Sequence, residues 1–360
     1  MNADLFLRDM TQLNSVLVTG GAGFVGSHAV EYYAEQGADV TALDNLSRVD
    51  TLETADESRN TAAYNWEYIA ENYPDVELVE GDIRDEELME DVVEGHDAVV
   101  HTAGQVAVTA SIQDPRTDFE VNALGTFNVL EAARKAESDP AVVMASTNKV
   151  YGDNVNDIPV REEKTRYWYD DPEYEDGIPE SLSIDDCEHT PYGVSKLSAD
   201  LYVQDYADRG EVDVAAFRMS CIYGTRQFGN EDQGWVAHFA ISTLRDEPLT
   251  IFGDGKQVRD VLYVKDLIRA YDAFLSDPEG KPAVYNVGGG PDNTTSLLEF
   301  IDLLEEKTGE RTDVSFDEWR EGDQKVYVTD IARARAELDW EPTVDFEEGV
   351  ERFVDWYENR

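Results

Sequence analysis

One segment near the start of the chain restricts the fold more than any other. "SVLVTG", beginning at Ser15, is a short run of β-branched and apolar residues, the pattern of a buried strand. Glycines follow at positions 20, 23 and 26, and apolar residues at helical spacing come next. "DVTALD" then reads as a second buried strand, ending at Asp44. Strand, glycine-rich turn, helix and strand in this order predict the first unit of a parallel sheet covered by helices.

The glycine spacing and the acidic residue after it indicate a dinucleotide site. Gly20, Gly23 and Gly26 allow the backbone to approach a pyrophosphate, whose charge is stabilised by a helix N-terminus. The alternative for the glycines alone is a tight turn. A carboxylate at Asp44 accepts hydrogen bonds from the adenosine ribose and repels a 2′-phosphate, which favours NAD over NADP although Arg48 follows closely. Further along, "GDIRD" places Asp82 and Ile83 where an adenine is expected.

The alternation of strands and helices continues through the first half of the chain. Residues 76–85, 97–104 and 141–147 predict strands, and 119–136 predicts an amphipathic helix. We therefore predict an α/β fold with a Rossmann-type doubly wound parallel sheet and a smaller, interleaved α/β substrate-binding domain. The NAD-binding domain is expected at 1–220, with a later contribution from about 255–288, and the substrate-binding domain mostly at 221–360. Ligands of such sheets bind at the carboxyl ends of the strands, where Thr147 lies.

"PYGVSK" places Tyr192 and Lys196 four residues apart, directly after Pro191. Proline suits the first position of a helix, and residues four apart lie on one helical face. The simpler interpretation is a half-buried tyrosine and an exposed lysine. The functional interpretation is a proton relay, because a tyrosine titrates near pH 10 and a neighbouring cation favours its phenolate form. Such a tyrosine can take a hydroxyl proton while hydride leaves the same carbon, with Thr147 holding the oxygen.

The excess of acidic over basic residues is the most unusual feature of the composition. There are 78 acidic against 29 basic residues, a formal net charge of −49, spread along a chain that is 41% apolar. This pattern predicts a globular protein from a high-salt source, where self-repulsion is screened, and it argues against nucleic-acid binding. Two cysteines give neither a disulfide framework nor a zinc site, and we expect no metal. With no apolar run long enough for a signal peptide or membrane span, a soluble, cytoplasmic protein is expected.

Taken together, these motifs resemble the extended short-chain dehydrogenase/reductases. The resemblance rests on "TGGAGFVG", "DN" at 44–45, "GDIRD", "HTAG", Asn122, "ST" at 146–147, "PYGVSK", "FRMSCIYG" and "VRDVLYVKDL". It implies Thr147, Tyr192 and Lys196 as the catalytic set. It also implies that the NAD contacts include Phe24, Val25, Asn45, Ala103, Asn122, Tyr192 and Lys196.

The resemblance also implies substrate contacts. Arg259 and Arg320 fall where the family binds the nucleotide diphosphate, although a surface ion pair is the alternative for each arginine. Dehydratases of the family usually place Asp-Glu directly after the catalytic threonine, whereas Asn148 and Lys149 follow here. This favours an epimerase or a simple oxidoreductase.

Longer stretches, above all "RQFGNEDQGWV" in 226–236, resemble the CDP-tyvelose (CDP-paratose) 2-epimerases, whereas 161–188 resembles them only in part. Phe228 and Trp235 there suit either a sugar contact or a small core. We predict these substrate contacts: Gln105, Asn148, Arg226, Gln227, Gln233, Arg259 and Arg320.

The expected activity is epimerisation of a nucleotide-activated hexose with NAD, by transient oxidation to a keto-sugar and re-reduction on the other face, at C2 of a CDP-sugar. The alternatives are a UDP-hexose 4-epimerase and a non-catalytic NAD-binding regulator. His28, His101 and Cys221 are interpreted as residues that pack or that support the site from behind, and not as metal ligands. Val194, Leu197 and Leu201 form an apolar stripe largely opposite Tyr192 and Lys196, which predicts a homodimer or a larger homo-oligomer.

Overall fold

The structure is a computed structural model, and it describes residues 13–47, 61–320 and 322–360. Arg48, considered above beside the cofactor, lies outside the described residues.

Numbered in chain order through the described residues, the strands are β1 (Ser15–Thr19), β2 (Asp39–Asp44), β3 (Glu77–Glu80), β4 (Ala98–His101), β5 (Ala141–Thr147), β6 (Val160–Glu162), β7 (Tyr167–Tyr169), β8 (Val214–Met219), β9 (Cys221–Tyr223), β10 (Leu249–Phe252), β11 (Val258–Tyr263), β12 (Val284–Val287), β13 (Thr294–Ser296), β14 (Val314–Asp317) and β15 (Val326–Tyr327). The α-helices are α1 (Phe24–Glu35), α2 (Thr61–Asn72), α3 (Glu86–Val93), α4 (Val108–Gln113), α5 (Pro115–Phe119), α6 (Gly125–Lys135), α7 (Pro191–Asp208), α8 (Trp235–Leu244), α9 (Val264–Leu275), α10 (Leu297–Thr308), α11 (Ala332–Leu338) and α12 (Phe346–Asn359). A π-helical turn spans Glu120–Leu124, and 3₁₀ turns span Asn148–Asp157 and Pro172–Tyr174.

A seven-stranded parallel sheet forms the centre of the molecule. Its strand order is β12-β8-β5-β4-β1-β2-β3, and β1 pairs with both β2 and β4, with Val16 opposite Val40 and Ala98. Strand order reverses at β1, as in doubly wound folds, where ligands bind beyond the carboxyl ends of the strands. The predicted fold class is confirmed.

Alternate residues of the strands enter two different cores. Val16 and Val18 of β1 pack with α1 and α9 on one face of the sheet. Leu17, between them, packs with α3, α6 and α7 on the other face. Because both faces are covered by helices, the strands are apolar without interruption, as the sequence of "SVLVT" indicates.

A smaller core lies beside the central sheet. It is built from β9 to β11 with α8, α10 and α12, and its centre includes Phe239, Phe300 and Phe353. Strand β11 pairs with β9, β13 and β15 in this region. The chain leaves the central sheet after β8 and returns to it at β12, so the two regions interleave along the sequence.

The helix predicted at 119–136 differs in detail from the structure. Helix α5 begins earlier, at Pro115, and a π-helical turn separates it from α6. At the junction of this turn with α6, the Thr126 hydroxyl donates to the carbonyl oxygen of Asn122 at 2.6 Å. An inserted π turn shifts the residues after it around the helix axis and is frequent at functional sites. Apolar spacing alone does not reveal such an insertion.

Across the described ranges, none of the helices combines the length and the apolar character needed to cross a membrane.

Candidate active site

The glycine-rich turn after β1 forms a backbone cradle. Gly20 has φ +73°, and a Cβ placed on Gly26 would lie 2.1 Å from the Gly20 carbonyl oxygen. Helix α1 starts directly after Gly23, with no side-chain cap and no acidic residue in its first turn among the described residues. In so acidic a chain, a first turn free of carboxylates suits a bound anion. The cradle therefore fits the pyrophosphate of a dinucleotide.

The residues expected at the adenosine end lie beyond β2 and β3. The Asp44 carboxylate accepts hydrogen bonds from the Ala22 N–H at 3.0 Å and the Leu46 N–H at 2.9 Å. The Asn45 amide donates to Asp82 at 3.0 Å. The Arg84 guanidinium, hydrogen-bonded to Asp82, lowers the pKa of that carboxyl to about 2. Both carboxylates are therefore held in place, and that of Asp82 is charged at neutral pH.

Two other predicted cofactor contacts are placed differently from one another. Ala103 lies against Gly20, where a Cβ on that glycine would come within 2.6 Å of the Ala103 nitrogen. Ile83 is only 5% exposed and packs against Gly125 in the core. The contact of Ile83 with an adenine stays a prediction, and this burial leaves little of its side-chain surface for that contact. Phe24 and Val25 occupy the first turn of α1, beside the cradle.

Helix α7 brings Tyr192 and Lys196 onto the central sheet. The helix begins at Pro191, and the Thr190 side chain caps it by accepting the Gly193 N–H at 3.2 Å. Tyr192 and Lys196 are both buried. The Lys196 ammonium donates to the Ala145 carbonyl oxygen in β5 at 2.6 Å, two residues before Thr147. This bond joins the helix that carries the tyrosine to the strand that ends at the threonine.

Burial weakens the cationic character of Lys196. It lowers the pKa of the ammonium to about 8, with the carboxylates of Asp200 and Asp118 acting in the opposite direction. Burial, and then the charge of Lys196, lower the pKa of His101 to about 3. The neutral His101 ring lies between the hydroxyls of Thr19 and Thr126, at 2.7 and 3.0 Å. His101 is therefore a packing residue, as predicted from the sequence.

Asn122 and Gln105 fix the loop after β4 to α7. The Asn122 amide donates to Ser195 at 3.0 Å and to the Gln105 carbonyl oxygen at 3.0 Å, and it accepts the Gln105 N–H at 2.9 Å. The Gln105 side chain donates to Ala107 at 2.8 Å and to Asp118 at 2.9 Å, and it also accepts the Ala107 N–H. These bonds occupy both amides within the protein. The contacts of Asn122 with the cofactor and of Gln105 with the substrate stay predictions, and the bonds described here give both residues a supporting role in the loop.

Lys149 was not among the predicted site residues, and the structure brings its turn close to the strand of Arg259, because their chain neighbours Val150 and Val258 pack in one apolar cluster. The Thr147 hydroxyl donates to Asn148 at 3.3 Å and accepts the Lys149 N–H at 3.3 Å. Burial, then the charge of Arg259, lower the pKa of Lys149 to about 8, with Asp323 and Cys221 acting against them. In the sequence, Lys149 stands out only because an acid is missing there, since the groups that act on it come from β9 and β11.

Arg320 and Gln233 belong to one loop contact. The Arg320 guanidinium lies 3.7 Å from the centre of the Phe252 ring and donates to the Glu231 carbonyl oxygen at 3.0 Å. The carboxylates of Glu231 and Asp232 are each 3.7 Å away. Gln233 closes this loop through backbone bonds with Asn230. The ion-pair alternative for Arg320 is therefore present in the structure, whereas no such pair is recorded for Arg259 in the described chain.

Arg226 is a correction to the predicted substrate contacts. Its side chain is buried, and its guanidinium contacts Glu31 at 2.5 Å and His28 at 3.0 Å. Burial, and then this guanidinium, lower the pKa of His28 to about 4. Gln227, the next residue, is also buried and donates to the Ile222 carbonyl oxygen at 3.2 Å. Both side chains therefore hold the loop to the body of the protein.

The aromatic residues of the same stretch join the smaller core. Trp235 packs edge-on against Phe239 and Phe300, and its indole N–H donates to the Cys221 sulfur at 3.3 Å. Phe228 is buried against Tyr64 and Trp356. Of the two interpretations left open by the sequence, the structure favours core packing for both. Through the described ranges, no group of three or more His, Cys, Asp or Glu side chains is arranged to hold a metal ion.

The fold and the cradle define a dinucleotide-binding α/β enzyme. Residues 16–288 match the profile of the NAD dependent epimerase/dehydratase family. The chain is 38% identical to CDP-paratose 2-epimerase of Salmonella typhi, covering 95% of this chain and 98% of that protein. It is 31% identical to UDP-glucose 4-epimerase of Mycolicibacterium smegmatis, covering 96% and 98%. The solved UDP-glucose 4-epimerase of Thermus thermophilus in complex with NAD is 30% identical with a TM-score of 0.74, covering 96% and 99%.

The chain therefore belongs to the NAD dependent epimerase/dehydratase family, as its motifs predicted. It is an NAD-dependent enzyme, and the cradle, the charge-free first turn of α1 and the Asp44 carboxylate fit that cofactor.

Proposed function

We propose that this enzyme epimerises a nucleotide-activated hexose at C2 of a CDP-sugar. The observation that carries the chemistry is the Lys196–Ala145 hydrogen bond, which fixes the Tyr192 helix against the strand ending at Thr147. The choice of carbon and base is supported by the likeness to CDP-paratose 2-epimerase over nearly the whole chain. A UDP-hexose 4-epimerase is the second candidate, favoured by the likeness to UDP-glucose 4-epimerases.

In the proposed reaction the chain supplies proton transfer and orientation. The cradle after β1 and the Asp44 carboxylate would hold NAD, which would supply a hydride acceptor for the reacting carbon and a hydride donor to the other face of the keto-sugar. Tyr192 takes the proton of the sugar hydroxyl as the keto-sugar forms and gives it back when the alcohol is restored. The Thr147 hydroxyl holds the reacting oxygen, and the Lys196 cation favours the tyrosine phenolate. Because hydride and proton both return to the sugar, the cycle consumes no external oxidant or reductant.

The residues after Thr147 weigh against dehydration. Asn148 and Lys149 stand where dehydratases of the family usually carry Asp-Glu, so the acid and base for removing water are absent at these positions. A non-catalytic regulator is disfavoured because Thr147, Tyr192 and Lys196 are all present.

An NMR assay tests the proposal. The purified protein, in concentrated KCl and without added NAD, is incubated with CDP-tyvelose and with a panel of UDP-hexoses. We expect inversion at C2 of the CDP-sugar alone. Inversion only at C4 of a UDP-hexose would keep the redox cycle and overturn the substrate. If no sugar reacts even with added NAD, the catalytic proposal is wrong.

We also propose a homodimer formed through helix α7 and its neighbours. Exposed apolar side chains collect on α4, α5, the π-helical turn and α7, which pack against one another. They are Ile112, Phe119, Leu124, Val194, Leu201 and Tyr202. A face of this kind on one set of packed helices suits a second copy of the chain. Sedimentation at high salt is expected to give a dimer, and a monomer alone would contradict the proposal.

A halophilic source and a cytoplasmic location stay predictions of the same acidic composition. Unfolding on transfer to low salt would support the halophilic proposal, because the net charge of −49 is then unscreened.

We further propose that 1–220, with 255–288, bind NAD and that 221–360 mostly bind the substrate. Two features support this division. Helix α9 packs in the larger core with α1, and β12 pairs with β8 in the central sheet.

A further inference from the structure

Three basic side chains stand apart from all others in the described residues. Lys149, Lys196 and Arg259 are buried or half-buried, and within those residues no carboxylate oxygen lies within 4.0 Å of them. Other basic side chains that are not exposed do have such a partner, as Arg166 has in Glu299. With 78 acidic residues for 29 basic ones, the missing partners do not reflect a shortage of carboxylates.

Lys196 is accounted for by its bond to Ala145 and its place beside Tyr192. Lys149 and Arg259 are left, and they come from separate elements, the 3₁₀ turn after β5 and strand β11. The Arg259 guanidinium donates only to the Val258 carbonyl oxygen of its own strand within the described chain. Two like charges close together in a half-buried place are unfavourable, and a shared anion relieves both their repulsion and their partly lost hydration.

We propose that Lys149 and Arg259 together bind the diphosphate of the substrate, with Lys149 as a binding residue of this enzyme. The inference rests on the proposed function, which supplies a nucleoside diphosphate as the anion. Lys149 lies two residues after Thr147, and its N–H is bonded to the threonine hydroxyl oxygen. The same short turn therefore holds the reacting hydroxyl at one end and the diphosphate at the other. Lys149 would thereby fix how far the reacting carbon lies from the diphosphate.

The charged groups around Lys149 set the pH range of this contact. They are Arg259 on β11, Cys221 on β9 and Asp323, which precedes β15. Burial and Arg259 lower the pKa of Lys149 to about 8, so the side chain is cationic at pH 7 and mostly neutral at pH 9.5. Arginine at this position would stay charged across that range. Affinity for a diphosphate should therefore fall with rising pH in the natural chain and not in Lys149→Arg.

Calorimetric titration of the full-length, NAD-containing protein with CDP tests the proposal at constant KCl. CDP has the diphosphate without the hexose, so turnover does not enter. We expect Lys149→Met to weaken CDP binding about 10- to 100-fold at pH 7, the range of a charge-assisted hydrogen bond. Lys149→Arg should bind CDP within about threefold of the natural chain at pH 7. Its CDP affinity should not fall at pH 9.5, because arginine stays charged. The matched control Lys164→Met, at an exposed lysine, should bind CDP as the natural chain does.

Cytidine, which carries no phosphate, should bind all four proteins alike. Equal NAD content and equal melting temperatures show that the variants are folded. The proposal is wrong if Lys149→Met binds CDP as tightly as the natural chain does. It is also wrong if the substitution weakens cytidine binding as much as CDP binding. If the natural chain binds UDP and not CDP, the series is repeated with UDP at pH 7, and only the base of the proposed function fails. If no nucleoside diphosphate binds, both proposals fail. If the natural chain does not epimerise the CDP-sugar at C2 but the variants differ in CDP binding as expected, only the proposed function is wrong.

Discussion

Two arginines on neighbouring parts of the structure illustrate opposite uses of charge. Arg218, on β8, is buried and donates to both carboxylate oxygens of Asp200, at 2.8 and 3.0 Å. It also donates to the Tyr151 hydroxyl at 3.1 Å, and that hydroxyl donates to Asn286 at 2.7 Å. Arg259, on β11, is half-buried and, among the described residues, donates only to its own strand. The first arginine is paired inside the protein, and the second is the one that we propose for the substrate.

We call the hydrogen-bonded side chains around Arg218 the Asp200–Arg218 network. This network also holds β5, the strand that ends at Thr147. The Ser146 hydroxyl, adjacent to Thr147, donates to Asp200 at 2.8 Å. Asp200 also lies one helical turn after Lys196 on α7. A buried ion pair completed by further hydrogen bonds is costly to break and fixes geometry. In this acidic chain we therefore assign the paired, buried Arg218 to the scaffold and propose a ligand for the unpaired cations.

The largest expected effect lies on the ligand side. Replacing Tyr192 with Phe removes the proposed proton acceptor while keeping the ring. Turnover of the epimerised sugar, followed by NMR, should fall about 10²- to 10⁴-fold, and NAD content should be unchanged. Activity within a few-fold of the natural enzyme would show that another group moves the proton.

The next effect lies on the scaffold side. Arg218→Met leaves the Asp200 carboxylate buried without its partner, so the free energy of unfolding should fall by about 3–5 kcal/mol. The control is Arg209→Met, whose pair with Asp205 is exposed and should contribute about 1 kcal/mol or less. Denaturant unfolding at fixed KCl measures both variants. If both variants lost the same free energy of unfolding, the buried ion pair would be no more important to stability than the exposed one.

Acid sensitivity sharpens the comparison through His101, the neutral ring near Lys196. Its folded pKa is lowered to about 3 from 6.5, so between these values the unfolded state binds a proton that the folded state does not. Stability should therefore fall as pH decreases below 6.5, by about 1.4 kcal/mol per pH unit from this group. In His101→Gln this contribution should vanish from the unfolding free energy measured between pH 6.5 and 5. Parallel curves for both proteins would mean that His101 is charged in the folded state.

The smallest expected effect comes from removing a helix cap, a substitution that changes no charged side chain. Ser296 caps α10 by accepting the Glu299 N–H at 3.2 Å, and the Glu299 carboxylate accepts the Ser296 N–H at 3.0 Å. Ser296→Ala should lower the free energy of unfolding by about 1 kcal/mol in the same denaturant assay. A loss as large as that of Arg218→Met would indicate that charge is not what distinguishes the Asp200–Arg218 network.

The parts of the structure that sequence predicted well are locally determined. The β1–α1–β2 unit and the start of α7 follow from glycine spacing, apolar periodicity and Pro191, all read within a few residues. The roles of Thr147, Tyr192 and Lys196 stay predictions, although α7 and β5 meet as those roles require.

The errors came from partners that are distant in sequence. Arg226 occupies a motif that suggests substrate binding, but its carboxylate partner, Glu31, lies 195 residues away. Lys149 was overlooked for the same reason, since only the fold places β11 and its arginine beside the turn after β5. Local patterns specify which elements form, whereas pairing of charges depends on how those elements are assembled.

The return of the chain to the central sheet at β12 has a mechanical consequence. Strand β11 carries Arg259 and continues without a loop into α9, which is packed in the larger core beside α1. The backbone therefore passes between the two regions more than once, and in the described chain they are not joined by a single hinge. We therefore expect the two regions to keep their spacing when ligands enter and leave. An enzyme whose cofactor leaves each cycle unchanged gains from such stiffness, because it has no need to open wide and exchange it.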